Sequence, residues 1–281
     1  MAEPSGIAAY IKEIGRGKDG ARALSREQAA DLMGRVLDGQ VSDLELGAFC
    51  LAMRIKGETP AEMAGFLDAT HARLQRVPDS GQPTVVLPSY NGARKLPVLT
   101  PLLALLLARE GLPVLLHGMR TEARRILASD VLEALDINAL AAPKTIANGE
   151  VAHIHTERLH PGLARLLAVR QVVGLRNPGH SAVKLMNPCA GPAVVVTAYT
   201  HPEYLDMLHA TFTGMGMSAL LTRGLEGEVA TDPRRTPRYD AFVAGKHQLL
   251  EEQQPGTATE VPGLPTEIDV ATTAEYTRQV L

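Results

Sequence analysis

The chain has 281 residues, of which 45% are hydrophobic and 21% are charged, and its formal net charge is −3. This composition is typical of a soluble globular protein that buries one large core or two smaller ones. Every apolar run of 18 or more residues is interrupted by a charge, and the N-terminus lacks the pattern of a signal peptide, so we expect neither a transmembrane helix nor export. The two cysteines, Cys50 and Cys189, lie far apart. This spacing favours a reduced, cytoplasmic protein without a disulfide or metal framework.

The charges are unevenly distributed along the chain. Residues 81–200 carry 12 Lys and Arg against 7 Asp and Glu, a net charge of +5. Residues 1–80 carry 10 against 12, and residues 201–281 carry 6 against 12. A basic face can attract polyanions locally even when the whole chain is slightly acidic. Solvated helix faces explain the same basic residues equally well when charge alone is considered.

The first 80 residues predict a helical domain. Ser25, Ser42 and Thr59 each precede apolar residues at helical spacing. Each is followed three positions later by Gln or Glu, which is the capping-box pattern. Close helix contact is allowed by small residues, namely Gly47, Ala48, Ala52, Ala61, Ala64 and Gly65. The apolar face of these helices either meets another chain or domain or forms a core within this one.

From Pro83 onward, short apolar strands alternate with helices, which predicts an α/β domain over residues 81–281 with a central, mainly parallel sheet. The predicted strands cover 84–89, 112–118, 191–200 and 218–224. The predicted helices cover 96–111, 121–137, 161–174, 201–216 and 271–281. Residues 251–268 are acidic and rich in Pro and Gly, so we expect them to form a loop.

The turn after the first strand lacks the feature that a phosphate-binding enzyme of this layout needs. A glycine-rich turn would expose backbone N–H groups to a diphosphate at the helix N-terminus. This turn has one glycine, Gly92, and its neighbours are Ser89, Tyr90, Asn91, Arg94 and Lys95. The scaffold is therefore that of an enzyme, but bulk and positive charge replace the phosphate cradle.

Several segments together resemble anthranilate phosphoribosyltransferase and its relatives of the nucleoside phosphorylase/phosphoribosyltransferase fold, over about residues 7–245. Residues 44–69 are similar to the family's N-terminal helical region. Residues 117–137 resemble its His-Gly-Asn-Arg segment and the helix that follows, and residues 160–176 resemble its segment from His-Pro to the substrate arginine. Arg176 and the pair Asn187-Pro188 keep the family's spacing. The resemblance implies a small N-terminal helical domain followed by an α/β domain.

The same resemblance exposes the departures from the family. Its Gly-Thr-Gly-Gly-Asp loop, which binds the pyrophosphate of phosphoribosyl pyrophosphate, corresponds here to residues 88–92. Its Asn-x-Ser-Thr element corresponds to residues 98–101, its phosphate lysine to Leu116, and the asparagine after His-Gly to Met119. Its metal-binding Asp-Glu pair is represented by Glu226 and Glu228 at altered spacing.

These departures are similar to those of the YbiB-type branch of the family, whose members are homodimers assigned to nucleic-acid binding without marked sequence preference. The resemblance thus implies a homodimer formed by the N-terminal helices and a phosphate-backbone interaction with single-stranded DNA or RNA. The candidate nucleic-acid contacts are Arg94, Lys95, Arg120, Arg124, Arg125, Arg158, Arg165, Arg170 and Lys184. The alternative is a glycosyltransferase or phosphoribosyltransferase with altered phosphate and substrate recognition.

A vestigial ligand or anion site is expected at the carboxyl ends of the strands, where open α/β sheets bind ligands. Its candidate residues are Ser89, Asn91, Gly92, His117, Gly118, Arg120, Arg176 and Asn187. His117 is interpreted as a residual anion ligand together with Arg120, and a structural turn histidine is the alternative. His153, His155 and His160 are close in sequence, but no cysteine or closely spaced carboxylate completes a ligand set. We therefore predict no metal, no cofactor and no catalytic residue.

Overall fold

A computed structural model describes residues 6–17 and 19–281. The chain divides into two compact units. The helical unit combines the chain up to Gln75 with His160–Met186, and the α/β unit combines Arg76–Leu159 with Asn187–Leu281. In the described residues no helix is both long and apolar enough to cross a membrane.

The helices and strands alternate after an all-helical start. In chain order they are α1 Ala8–Ile14, α2 Arg26–Leu37, α3 Asp43–Lys56, α4 Pro60–His71, β1 Thr84–Pro88, α5 Thr100–Arg109, β2 Val114–Gly118, α6 Ala128–Ala134, β3 Val151–His155, α7 Thr156–Leu159, α8 Pro161–Val173, α9 Pro178–Leu185, β4 Ala193–Tyr199, α10 Leu205–Gly214, β5 Ala219–Arg223, β6 Tyr239–Val243, β7 Lys246–Glu251 and α11 Val270–Val280. A short 3₁₀ turn, Pro202–Tyr204, precedes α10.

The helical unit begins its helices at the three predicted caps. Ser25, Ser42 and Thr59 each form a complete capping box with the residue three positions later. These boxes satisfy backbone N–H groups that the first helical turn leaves without a partner. At the contact between α2 and α4, a Cβ on Gly65 would collide with the carbonyl oxygen of Arg26. The predicted close approach of helices is confirmed at this position.

The α/β unit is built on one seven-stranded sheet with the order β3-β2-β1-β4-β5-β6-β7. The first five strands are parallel and the last two are antiparallel, as the prediction of a mainly parallel sheet requires. The core beside β1 and β2 contains Leu87, Val114 and Leu116. This parallel arrangement brings the carboxyl ends of β1 and β2 to the same edge of the sheet, and the loop after β1 begins there.

Three details differ from the sequence-based boundaries. Residues 160–186 belong to the helical unit, because α8 and α9 pack against its other helices. The predicted helix over 121–137 is wrong for its first half, since α6 begins only at Ala128. Ala93 and Ile126 exchange backbone hydrogen bonds of 2.8 and 3.1 Å. The N–H and C=O groups of Ile126 are therefore not available for hydrogen bonds within a longer helix. The predictions also omitted β3 and the β6–β7 hairpin.

Candidate anion-binding loop and basic surface

The loop that follows β1 is an anion-binding loop, and we use that name for residues 89–95. It leaves the carboxyl end of the parallel strand β1, and α5 begins at Thr100. Gly92 has a φ of +68°, in the left-handed region that glycine adopts without strain. Successive backbone N–H groups around such a residue can converge on one anion.

A carboxylate of the protein itself occupies this loop. One Glu228 oxygen accepts hydrogen bonds from the backbone N–H groups of Asn91 and Gly92, at 3.1 and 2.8 Å. The other accepts from the hydroxyls of Ser89 and Thr100, at 2.5 and 3.0 Å. Glu228 is only 4% exposed. Its buried charge is therefore stabilised by four hydrogen-bond donors from the loop and from the start of α5.

The side chain of Glu226 binds to the second half of the same loop. One of its oxygens accepts from the backbone N–H groups of both Arg94 and Lys95, each at 2.9 Å. The other lies 3.3 Å from Nε of Arg94 and 3.8 Å from Nη1 of Arg125. Four backbone N–H groups of the loop are thus satisfied by two side chains of one short segment.

A tight turn directs both carboxylates at the loop. Glu226 has a φ of +57° and Gly227 a φ of +88°. A Cβ on Gly227 would lie 3.0 Å from Nδ2 of Asn91, so the turn lies directly against the loop. The adjoining cavity, lined in part by Val98, Leu225 and the two glutamates, measures about 10 Å³. That volume holds about one water molecule.

His117, a candidate anion ligand, is completely buried. Burial, together with neighbouring His153, lowers its pKa to about 3, so the ring is neutral at pH 7. Neither ring nitrogen has a hydrogen-bond partner among the residues that the structure describes. His117 therefore offers no positive charge to an anion. Its neighbour Gly118 is required for packing, because a side chain there would collide with the carbonyl oxygen of Ser89.

The other candidate ligands are more widely distributed. Ser89, Asn91 and Gly92 share the Glu228 carboxylate. Asn187 accepts a hydrogen bond from the backbone of Cys189. Arg176 lies between α8 and α9 in the helical unit, whereas the loop belongs to the α/β unit.

The candidate nucleic-acid contacts fall into two groups. Lys95, Arg124 and Arg158 are exposed, and the side chain of Arg94 is 63% exposed. Phosphate groups can reach these four candidates of the α/β unit.

Other basic candidates are engaged in contacts within their unit. Arg120 donates to both oxygens of Asp130 at 2.7 Å. Arg125, with a side chain 11% exposed, donates to the carbonyl of Gly92. Arg165 donates to the carbonyl of Leu37 at the end of α2. Arg170 and Lys184 are half-buried in the helical unit.

The three histidines considered as a metal cluster are divided between the two units. His153 and His155 lie on β3, with ring centroids 4.9 Å apart. His160 belongs to the helical unit, where its Nδ1 accepts from the backbone N–H of Leu163 and caps α8.

Comparison with known proteins gives consistent results. Residues 8–73 match the family model described as "Glycosyl transferase family, helical bundle domain". The chain is 38% identical to "Uncharacterized protein YbiB" of Escherichia coli over 278 residues, covering 96% of this chain and 86% of that protein. It is 30% identical to anthranilate phosphoribosyltransferase of Methanopyrus kandleri, covering 77% of this chain and 65% of that enzyme.

Solved structures show the same fold. Anthranilate phosphoribosyltransferase from Thermus thermophilus aligns with a TM-score of 0.75 and 23% identity, covering 96% of this chain and 81% of that one. The enzyme from Saccharomyces cerevisiae, in complex with PRPP and Mg, aligns with a TM-score of 0.71 and 13% identity, covering 98% and 80%.

The buried histidine makes stability depend on pH in a predictable direction. The His117 pKa of about 3 lies below the unfolded value of about 6.5, so below pH 6.5 only the unfolded chain takes up this proton. The stability conferred by the neutral ring is complete above pH 6.5 and falls toward pH 3, by up to about 1.4 kcal/mol per pH unit. We expect His117→Leu to reduce this slope in urea unfolding between about pH 6 and pH 4.5. Exposed His201, changed to Leu, serves as the control, and an equal slope in both variants would contradict the prediction.

Proposed function

Because the chain belongs to the anthranilate phosphoribosyltransferase-like family, we propose that it is a nucleic-acid-binding homodimer on a phosphoribosyltransferase scaffold that no longer binds phosphoribosyl pyrophosphate. One observation carries this proposal: the carboxylates of Glu226 and Glu228 accept hydrogen bonds from four backbone N–H groups of the anion-binding loop. These four backbone N–H groups are therefore not free to bind a diphosphate.

Electrostatics strengthens this argument against phosphoribosyl transfer. A diphosphate that approached the loop would meet the two carboxylates at contact distance, and like charges repel. Displacing Glu228 would also leave a buried carboxylate without its four hydrogen-bond donors, which is costly. Loss of even one oriented donor to a reacting group typically lowers a rate by about 10²–10³. Efficient transfer from phosphoribosyl pyrophosphate is therefore not expected.

Nucleic-acid binding is supported by the cations that remain accessible. Lys95, Arg124 and Arg158 are exposed, and Arg94 presents most of its side chain to solvent. Contacts from such side chains to phosphate position a strand without reading its bases. The expected interaction is therefore sensitive to salt and nearly independent of sequence.

The dimer is supported by an apolar stripe on α3. Leu44, Leu51 and Ile55 are 84%, 45% and 59% exposed. Their spacing places them on one helix face, together with Gly47 and Ala48. An exposed apolar stripe of this kind favours contact with another chain. A second copy is the proposed occupant, since two-fold homodimers are the commonest soluble oligomers.

The alternative is a glycosyltransferase with altered phosphate recognition. It is favoured by Arg176 and the pair Asn187-Pro188, which keep the spacing of the enzymes named above. In that case the sugar donor of the reaction would be a molecule without a diphosphate group, because the anion-binding loop excludes that group.

The first prediction concerns enzyme activity. With phosphoribosyl pyrophosphate, anthranilate and Mg²⁺, we expect no product above the blank in a fluorescence assay, because the loop is occupied. Turnover near about 1 s⁻¹, within the normal range for enzymes, would contradict the proposal. In the double variant Glu226→Ala/Glu228→Ala, calorimetry with pyrophosphate should detect binding that the unmodified chain lacks. Thermal melting checks that the variant is folded.

The second prediction concerns nucleic acid. Lys95→Ala/Arg124→Ala should weaken binding to short single-stranded oligonucleotides equally for several sequences. Two lost phosphate contacts should make the slope of log affinity against log salt shallower by about 1.4. Fluorescence anisotropy between about 50 and 200 mM salt measures this slope. Arg125 is retained in this variant because it contacts the loop itself.

A matched control for this test removes the same charge elsewhere. Lys144 and Lys246 are exposed, and replacing both with Ala should change affinity little, as should Glu251→Ala. Equal losses in the test and control variants, or affinity independent of salt, would disprove a phosphate interaction at the loop. Absence of binding at low salt would favour the glycosyltransferase.

The third prediction concerns assembly. Ala48→Arg places a charge in the apolar stripe, so we expect a monomer in sedimentation velocity at concentrations where the unmodified chain is a dimer. The control is Ala271→Arg, at an exposed alanine of α11, which should leave the dimer intact. A monomeric unmodified chain at micromolar concentration would refute the proposed dimer.

A further inference from the structure

A second polar cluster lies away from the anion-binding loop, at the antiparallel side of the sheet. It consists of His209 on α10, Asp240 on β6 and His247 on β7. One donor atom from each side chain lies within 4.8 Å of the others. Asp240 is fully buried, whereas the side chains of His209 and His247 are 25% and 35% exposed.

The hairpin and α10 hold these side chains together through Phe242. Phe242 pairs with His247 across the two strands and lies two residues after Asp240, on the same face of β6. The rings of His209 and His247 lie 5.0 and 5.1 Å from the Phe242 ring, and 4.7 Å from each other. One apolar wall thus fixes the positions of both imidazoles.

The distances within the cluster leave one nitrogen unsatisfied. Nε2 of His247 lies 2.7 Å from Oδ1 of Asp240, within hydrogen-bond distance. Nε2 of His209 lies 3.8 Å from Oδ2, which is too long for a hydrogen bond. This nitrogen is buried and has no partner in the described part of the chain. Tetrahedral ligands with bonds of about 2.0–2.1 Å lie about 3.3 Å apart, between these two distances.

Arg238 orients the carboxylate. Its Nε and Nη2 donate to the two oxygens of Asp240, each at 2.7 Å. Such a contact fixes the carboxylate, as outer partners of metal ligands commonly do. It also brings a positive charge to the cluster, which lowers affinity for a cation.

We propose that His209, Asp240 and His247 form a binding site for a divalent transition-metal ion, with Zn²⁺ as the reference ion. Two imidazoles and one carboxylate suit zinc, nickel and copper ions better than Mg²⁺ or Ca²⁺, which prefer oxygen ligands. The exposed sides of the two histidines leave room for water as a further ligand. Because Arg238 neutralises Asp240, we expect micromolar affinity.

Zinc titration of the metal-free, untagged protein tests this site. Competition with a chromophoric chelator and elemental analysis should give one ion per chain. His247→Gln, at a partly exposed position with little risk to folding, should weaken binding by about 100-fold or more. Arg238→Gln should change affinity by a smaller factor, since it removes both the orientation of Asp240 and an opposing charge.

The control is His201→Gln at an exposed histidine outside the cluster. It should bind zinc as the unmodified chain does, and the melting temperature of both should rise with zinc. The proposal is overturned if no ion binds at about 100 µM zinc, or if His247→Gln binds as tightly as the control. An unchanged melting temperature at saturating zinc would also overturn it, because a ligand bound only by the folded state must stabilise it.

Discussion

The contact between Glu228 and the anion-binding loop determines what the rest of the α/β unit can do. A buried carboxylate requires several donors, and the loop after β1 supplies two backbone N–H groups and a hydroxyl, with Thr100 adding another. The parallel sheet delivers this loop to the carboxyl ends of its strands, where open α/β sheets bind ligands. The scaffold is retained, but the anion at that edge belongs to the chain itself.

The same contact separates two kinds of basic residue. Arg125 points inward, since it contacts Gly92 and lies near Glu226. Arg124, its neighbour in sequence, and Lys95, in the loop itself, remain exposed to solvent. The net charge of residues 81–200 therefore overstates the charge that a ligand can meet. A basic segment forms a binding surface only where its side chains are not already paired with carboxylates of the same protein.

Much of the fold follows from local patterns in the sequence. The caps at Ser25, Ser42 and Thr59 and the parallel sheet were predictable, because spacing and capping chemistry act over a few residues. Arg124 and Arg125 were wrongly assigned to a helix, since the pairing of Ala93 with Ile126 is a long-range contact. The roles of Glu226 and Glu228 were missed for the same reason. Positive φ at a non-glycine residue such as Glu226 has no clear signal in one sequence. The proximity of His209, Asp240 and His247 was not predicted, because these residues come from a helix and two strands of a hairpin.

The distance along the chain between Glu228 and its partners has a consequence for folding. Its hydrogen bonds reach residues 128 to 139 positions earlier. Contacts of such separation are costly in chain entropy until the intervening elements are ordered. Glu228 follows β4 and β5 in the chain, so during synthesis the loop lacks its internal anion until these strands have been made. The carboxylate that closes it arrives only with the last third of the polypeptide.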